Sequence, residues 1–155
     1  MTERTRQNSP LKNTVELKIK IKEDARVPYY ATEGSAAMDL IAHIPQKITL
    51  NPLQRVLIPT GFSLEIPDGF VGLVCPRSGL SIKHGITVVN APGVIDPDYR
   101  GEVCVILINL SDKPFTINPG DRIAQLLIVP FAKALLKLSD ELSRTCLLYT
   151  SDAAD

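Results

Sequence analysis

Four short stretches of this chain hold residue types that can do chemistry together. The richest is NAPGVIDPDYRGE, residues 90–102, which sets a glycine, a carboxylate, an aromatic ring and an arginine between two apolar runs. Gly93 permits close backbone approach, Asp96 is a candidate general base, and Tyr99 offers a flat wall. The plainer alternative is a hairpin loop with a solvated aspartate. PRSGL, residues 76–80, joins a strand end to an arginine, a hydroxyl, a glycine and a helix start. Helix N-termini present free N–H groups and partial positive charge. Gly79 lets an anion reach the backbone there, and Arg77 can grip phosphate oxygens through two parallel bonds. An ordinary strand-to-helix turn with a surface arginine is the alternative.

Two further stretches each offer one polar group among apolar neighbours. AAMDL, residues 36–40, puts Asp39 on a predicted strand, where a carboxylate costs free energy unless it is paired or bound to metal. It can support a Mg²⁺ that also contacts phosphates, or it caps a turn. PGDRIAQL, residues 119–126, gives a turn followed by Gln125, whose amide can contact phosphate or water, or simply face solvent from a strand. Asp121 and Arg122 read as turn and surface charges.

The elements that must position these groups are strands. In VELKIKIK, Val15, Leu17, Ile19 and Ile21 alternate with charged residues, which predicts one face in the core and one in water. MDLIAHI, KITL, RVLIPTGFSLEIP, FVGLVCP, ITVV, EVCVILINL, FTI and RIAQLLIVP follow, ended by punctuation such as PDG, SDKP and NPGD. Eight or more short strands at this spacing predict an all-β sandwich, jelly roll or barrel. One helix-like piece, SGLSIKHG, starts at Ser78 as N-cap and stops at Gly85. Residues 90–101 are expected to form a hairpin end. AKALLKLSDELS, residues 132–143, fits a helix face, a last strand or an arm.

The composition narrows the classes. The 155 residues suit one domain, and 45% are apolar, enough for a real core. Seventeen basic residues balance seventeen acidic ones, so neither duplex nucleic acid nor a membrane is an expected partner. The polar start and the lack of any apolar run near ~18 residues give the cytoplasm, or the nucleus in a eukaryote, as the default location. Cys75 and Cys104 read as small buried hydrophobes. With only His43 and His84 and no CxxC, zinc is not expected.

Asp39, PRSGL, NAPGVIDPDYRGE and GDRIAQL occur in this order, preceded by VPYYATEGSAAMDLIA. Over residues 15–131 the chain resembles the trimeric dUTPase family, with four of that family's five motifs. The resemblance implies a jelly-roll-like dUTPase β-barrel with one short helix, assembled as a homotrimer with shared active sites. It implies that dUTP, water and Mg²⁺ give dUMP and pyrophosphate. Asn90 and main-chain groups at Gly93 and Val94 then match the uracil edge; cytosine would leave buried groups unpaired, worth ~10⁴ in discrimination. Tyr99 packs on the deoxyribose and leaves no room for a 2′-hydroxyl. Asp96 takes the proton of the water that attacks the α-phosphorus. Arg77, Ser78 and Gly79 hold the triphosphate, Ser78 donating toward the bridging oxygen, and Gln125 orients phosphate or water. Asp39 supports the Mg²⁺-triphosphate, through water or by structural pairing, the metal being held mainly by the triphosphate.

The chain also departs from the family pattern. Ala37 stands where the family usually has glycine, and Pro97 where it often has serine. No glycine follows Gly120 and no phenylalanine follows Phe131, so the fifth motif, a glycine-rich RGxGGFGSTG arm that closes over the substrate, has no counterpart. CLLYTSDAAD, residues 146–155, reads like a translated transposon-type sequencing adapter. The expected organisation is a flexible arm (1–14), the dUTPase-like domain (15–133), a C-terminal segment (134–145) and this artefact, the alternative being a divergent tail. Such a chain should fold and trimerise but turn over poorly. Two rivals remain. A dCTP deaminase needs a glutamate where this chain has Ile106, and a dUTP-binding or regulatory module would lack catalysis.

Overall fold

A computed structural model describes residues 13–147. The expected arm lies outside these residues up to position 12, and the adapter-like segment from position 148 on. The strands are β1 (Lys18–Ile21), β2 (Met38–Ile41), β3 (Ile48–Leu50), β4 (Arg55–Glu65) and β5 (Phe70–Cys75), followed by α1 (Ser78–His84). Then come β6 (Ile86–Val88), β7 (Gly93–Ile95), β8 (Glu102–Asn109), β9 (Phe115–Ile117) and β10 (Arg122–Pro130). Two four-stranded sheets, ordered β1-β4-β8-β6 and β2-β10-β5-β7, share one core, with β3 and β9 as a separate pair. Every pairing is antiparallel.

Period-two patterning builds that core. Along β8, Val103, Val105 and Leu107 point inward and meet Ile58, Phe62 and Leu64 of β4, with Leu40, Val74, Ile95 and Leu126 supplied by the other sheet. The register of β4 on β8 slips between Pro59 and Ser63, where Gly61 takes a left-handed φ of 82°. A proline without an N–H and a left-handed glycine suit such a bulge. Glu102 fixes it: one carboxylate oxygen accepts the Gly61 N–H at 2.9 Å and the other pairs with Lys22 at 3.0 Å.

At the far end of β8, Asn109 is fully buried and fully used. Its amide donates to the carbonyls of Leu50 (2.9 Å) and Lys113 (2.7 Å), and its oxygen accepts from the N–H and hydroxyl of Ser111. Removing one side chain thus strands four partners. Asn109→Ala is expected to lower unfolding stability by about 3 kcal/mol, checked by urea denaturation.

Several expectations are corrected. The apolar face predicted over residues 15–21 is covered only in part: Leu17 packs against the core, whereas Ile19 and Ile21 on the edge strand β1 are 38% and 39% exposed. Ser78 is not the N-cap; Arg77 holds the extended cap conformation and makes no side-chain cap bond, while Gly85 closes the helix in the left-handed region as expected. Residues 90–101 are more than a hairpin end. The chain between β6 and β8 crosses to the other sheet and adds β7 beside β5. Of the three alternatives for residues 132–143, the arm is the one that holds: they form neither helix nor strand, and Leu138 is 100% exposed. Cys75 and Cys104 are half-buried rather than buried. No helix among the described residues is long and apolar enough to cross a membrane.

Candidate active site

All the candidate site residues except Asp96 line one of two cavities. The first, about 460 Å³, lies at the C-terminal end of β5 and is lined by Asp39, Arg77, Ser78, Gly79, Arg122 and Gln125. Strand order explains it. β10 runs between β2 and β5, and Gln125 stands opposite Asp39 on one side and Cys75 on the other. Three motifs far apart in sequence thereby meet. The Gln125 amide donates to the Pro76 carbonyl at 2.9 Å, which ties β10 to the turn entering α1. Ser78, the first residue of α1, lines the cleft.

Asp39 is 8% exposed and lies between two guanidinium groups, Arg77 Nε at 3.6 Å and Arg122 Nη1 at 3.7 Å. Arg77 also donates to the Arg122 carbonyl at 3.2 Å. This corrects one sequence expectation: Arg122 is not a mere surface charge but a second cation lining the cleft. Both oxygens of Asp39 face arginines, a structural pairing that the sequence left open beside support of a metal. Among the described residues no group of three or more His, Cys, Asp or Glu could hold a metal ion. A Mg²⁺ held mainly by a triphosphate and water needs no such group.

The second cavity, about 230 Å³, lies where β7 folds against β8. Asn90, Gly93, Val94 and Tyr99 line one side, and Leu57, Val74, Cys104 and Ile106 the apolar other. Gly93 lies in a tight place: a Cβ there would sit 3.3 Å from both the Asn90 amide nitrogen and Val74 Cβ, closer than ordinary contact. The Tyr99 hydroxyl donates to the Glu102 carbonyl at 2.9 Å. Burial, reinforced by Glu102 and opposed by Lys22, pushes the Cys104 thiol up from its ordinary value, so it stays protonated at neutral pH. A protonated thiol is a wall, not a nucleophile.

The cavities share no lining residue, and Asp96, exposed just past β7, lines neither. One chain thus presents two cavities of different chemistry: a small slot lined by apolar side chains together with Asn90, Tyr99 and Glu102, and an open cleft with two guanidinium groups.

A family model described as dUTPase matches residues 23–150. The chain belongs to the dUTPase family. Curated dUTPase relatives include the deoxyuridine 5′-triphosphate nucleotidohydrolase of Wolbachia sp. subsp. Drosophila simulans, 55% identical over 124 residues, covering 77% of this chain and 81% of that one. That of Treponema denticola is 53% identical over 131 residues, covering 84% and 91%. Among solved dUTPase structures, a mutant enzyme from phage phi11 of S. aureus aligns with a TM-score of 0.73 at 28% identity, covering 82% of this chain and 98% of that one. That enzyme coordinates a structural Mg(II) ion. A mutant of the Staphylococcus bacteriophage 80alpha dUTPase with dUpNHpp aligns with a TM-score of 0.75 at 27% identity, covering 85% and 92%. The dUTPase fold, an all-β jelly roll with one short helix, matches the expectation from sequence.

Proposed function

We propose that this chain hydrolyses dUTP to dUMP and pyrophosphate in a site assembled from two subunits of a homotrimer. The observation that carries this reading is the split site. The slot around Asn90, Gly93 and Val94 suits a pyrimidine ring, and the cleft around Arg77, Ser78, Gly79, Arg122 and Gln125 suits phosphates, yet the two share no lining residue. A second copy would bring one chain's slot to another's cleft.

In this arrangement uracil enters the slot. Asn90 and the main chain of Gly93 and Val94 read its edge, and Tyr99 bounds the deoxyribose. The triphosphate lies over Arg77, Arg122 and the start of α1. Mg²⁺ arrives with the triphosphate as part of the substrate. Water attacks the α-phosphorus, Asp96 takes its proton, and the bond from the α-phosphorus to the bridging oxygen breaks. Ser78 donates toward that oxygen as charge develops on it. Gln125 orients phosphate or the attacking water, and Asp39 keeps both guanidinium groups aimed at the cleft.

Deamination of dCTP is disfavoured by a specific contact. Ile106, which stands where a proton-shuttling glutamate would be needed, lines the slot as an apolar wall. The remaining rival is a dUTP-binding module without catalysis. Both are tested by pyrophosphate and ammonia release from dUTP, dCTP and UTP with Mg²⁺. The 155-residue polypeptide is compared with a fusion ending in RGxGGFGSTG on a spacer. Pyrophosphate from dUTP alone is expected, and the fusion is expected to be about 10²-fold faster, because a closing arm excludes water and positions phosphates. Equal rates would remove the arm from the mechanism. Nucleotide binding without hydrolysis by either polypeptide would establish the binding module.

A further inference from the structure

Gly101 belongs to the chemistry-rich stretch, yet the mechanism above gives it no task. Its backbone does not require glycine: the left-handed glycines are Gly61, Gly69, Gly85 and Gly120, and Gly101 is not among them. What a side chain at position 101 would do is displace the Tyr99 ring. A Cβ there would overlap the Tyr99 phenol oxygen and lie 2.6 Å from Cζ and 3.0 Å from Cε2 of the same ring. All three nearest atoms belong to Tyr99. That ring is folded back over the 101–102 segment, where its hydroxyl donates to the Glu102 carbonyl at 2.9 Å. Its own N–H donates to the Asp96 carbonyl at 3.1 Å.

We infer that Gly101 is a positioning residue: the space it leaves seats the Tyr99 ring and thereby sets the selection of 2′-deoxyribose over ribose. This rests on the reading of Tyr99 as the sugar wall. The ring is 46% exposed, so little else in the chain holds it. A methyl group at position 101 displaces it and breaks the Glu102 bond. The fold tolerates this, because the displaced atoms are the free end of a surface side chain. The site does not, because exclusion of a hydroxyl by overlap needs a wall fixed to within a fraction of an ångström.

The test is a double-mutant cycle read by calorimetric binding of dUMP and UMP, which requires no turnover. Gly101→Ala is expected to weaken dUMP binding about ten-fold and to narrow the preference for dUMP over UMP by a similar factor, with circular dichroism unchanged. In a Tyr99→Ala background the same glycine substitution is expected to change either affinity by less than about two-fold, because no ring remains to displace. An equal loss in both backgrounds overturns the inference. If Tyr99→Ala alone leaves the dUMP preference intact, the sugar-wall reading fails instead. Should Gly101→Ala not fold, Tyr99→Ala/Gly101→Ala is expected to fold, and its failure to do so would overturn the role of the ring contact.

Discussion

Asp96→Asn is expected to lower kcat for dUTP hydrolysis about 10³-fold while the affinity for dUpNHpp stays within about three-fold. Asparagine keeps the size of the side chain and loses only the capacity to take a proton. The local backbone is unaffected, since the turn at this point uses the Asp96 carbonyl, which accepts the Tyr99 N–H. The carboxylate is exposed and lines neither cavity, so it contributes little to holding nucleotide. A loss confined to kcat is the signature of a group that acts in the transition state. Asp98, two residues on and also exposed, serves as the control, and Asp98→Asn should retain the parent rate. Steady-state pyrophosphate release and calorimetry measure both quantities. An Asp96→Asn enzyme keeping more than about a tenth of the rate would remove Asp96 as the base.

The second large effect concerns assembly. Arg77→Ala removes one of the two guanidinium groups over the phosphate cleft and leaves Asp39 with Arg122 alone; a loss of about 10²-fold or more in kcat/KM is expected. Each variant by itself is thus expected to retain at most about a hundredth of the parent activity. After denaturation and refolding together in equal amounts, they are expected to recover about a quarter of the parent rate. Each shared site needs an intact Asp96 from one chain and an intact Arg77 from its neighbour, and each condition is met half the time. Sites contained within one chain would recover nothing. A mixture that stays inactive although sedimentation shows trimers would sink the shared-site reading and leave the two cavities unexplained.

Legibility followed the range of the interactions. β8 could be read from its own residues, because a short Val- and Ile-rich run ended by turn residues encodes a strand locally; which of its faces is buried could not, since Cys104, Ile106 and Ile108 are apolar like Val103, Val105 and Leu107. Alternation misled at β1, whose Ile19 and Ile21 fit the pattern but sit at a sheet edge. Periodicity reports which residues share a face, not whether anything covers it. β7 was missed because three residues between prolines carry too few alternations to register, although Gly93, Val94 and Ile95 were singled out as part of a motif.

The sequence by itself determined the all-β class, the short helix ending at Gly85 and the order of the chemical motifs, since each of these is written in neighbouring residues. It also placed Asn90, Gly93, Val94 and Tyr99 in one pocket, because a single short loop carries them. Only the tertiary structure decided which groups Asp39 meets. Whether a buried carboxylate meets a metal or a guanidinium depends on which strands lie beside it, and β10 brings Arg122 there while the end of β5 brings Arg77. The separation of slot from cleft was likewise invisible along the chain. It follows from β5 lying between β7 and β10, so that motifs adjacent in sequence open onto different cavities. Charges and cavities are settled by distance through space, and that distance is set by strand order, which no local pattern of residues encodes.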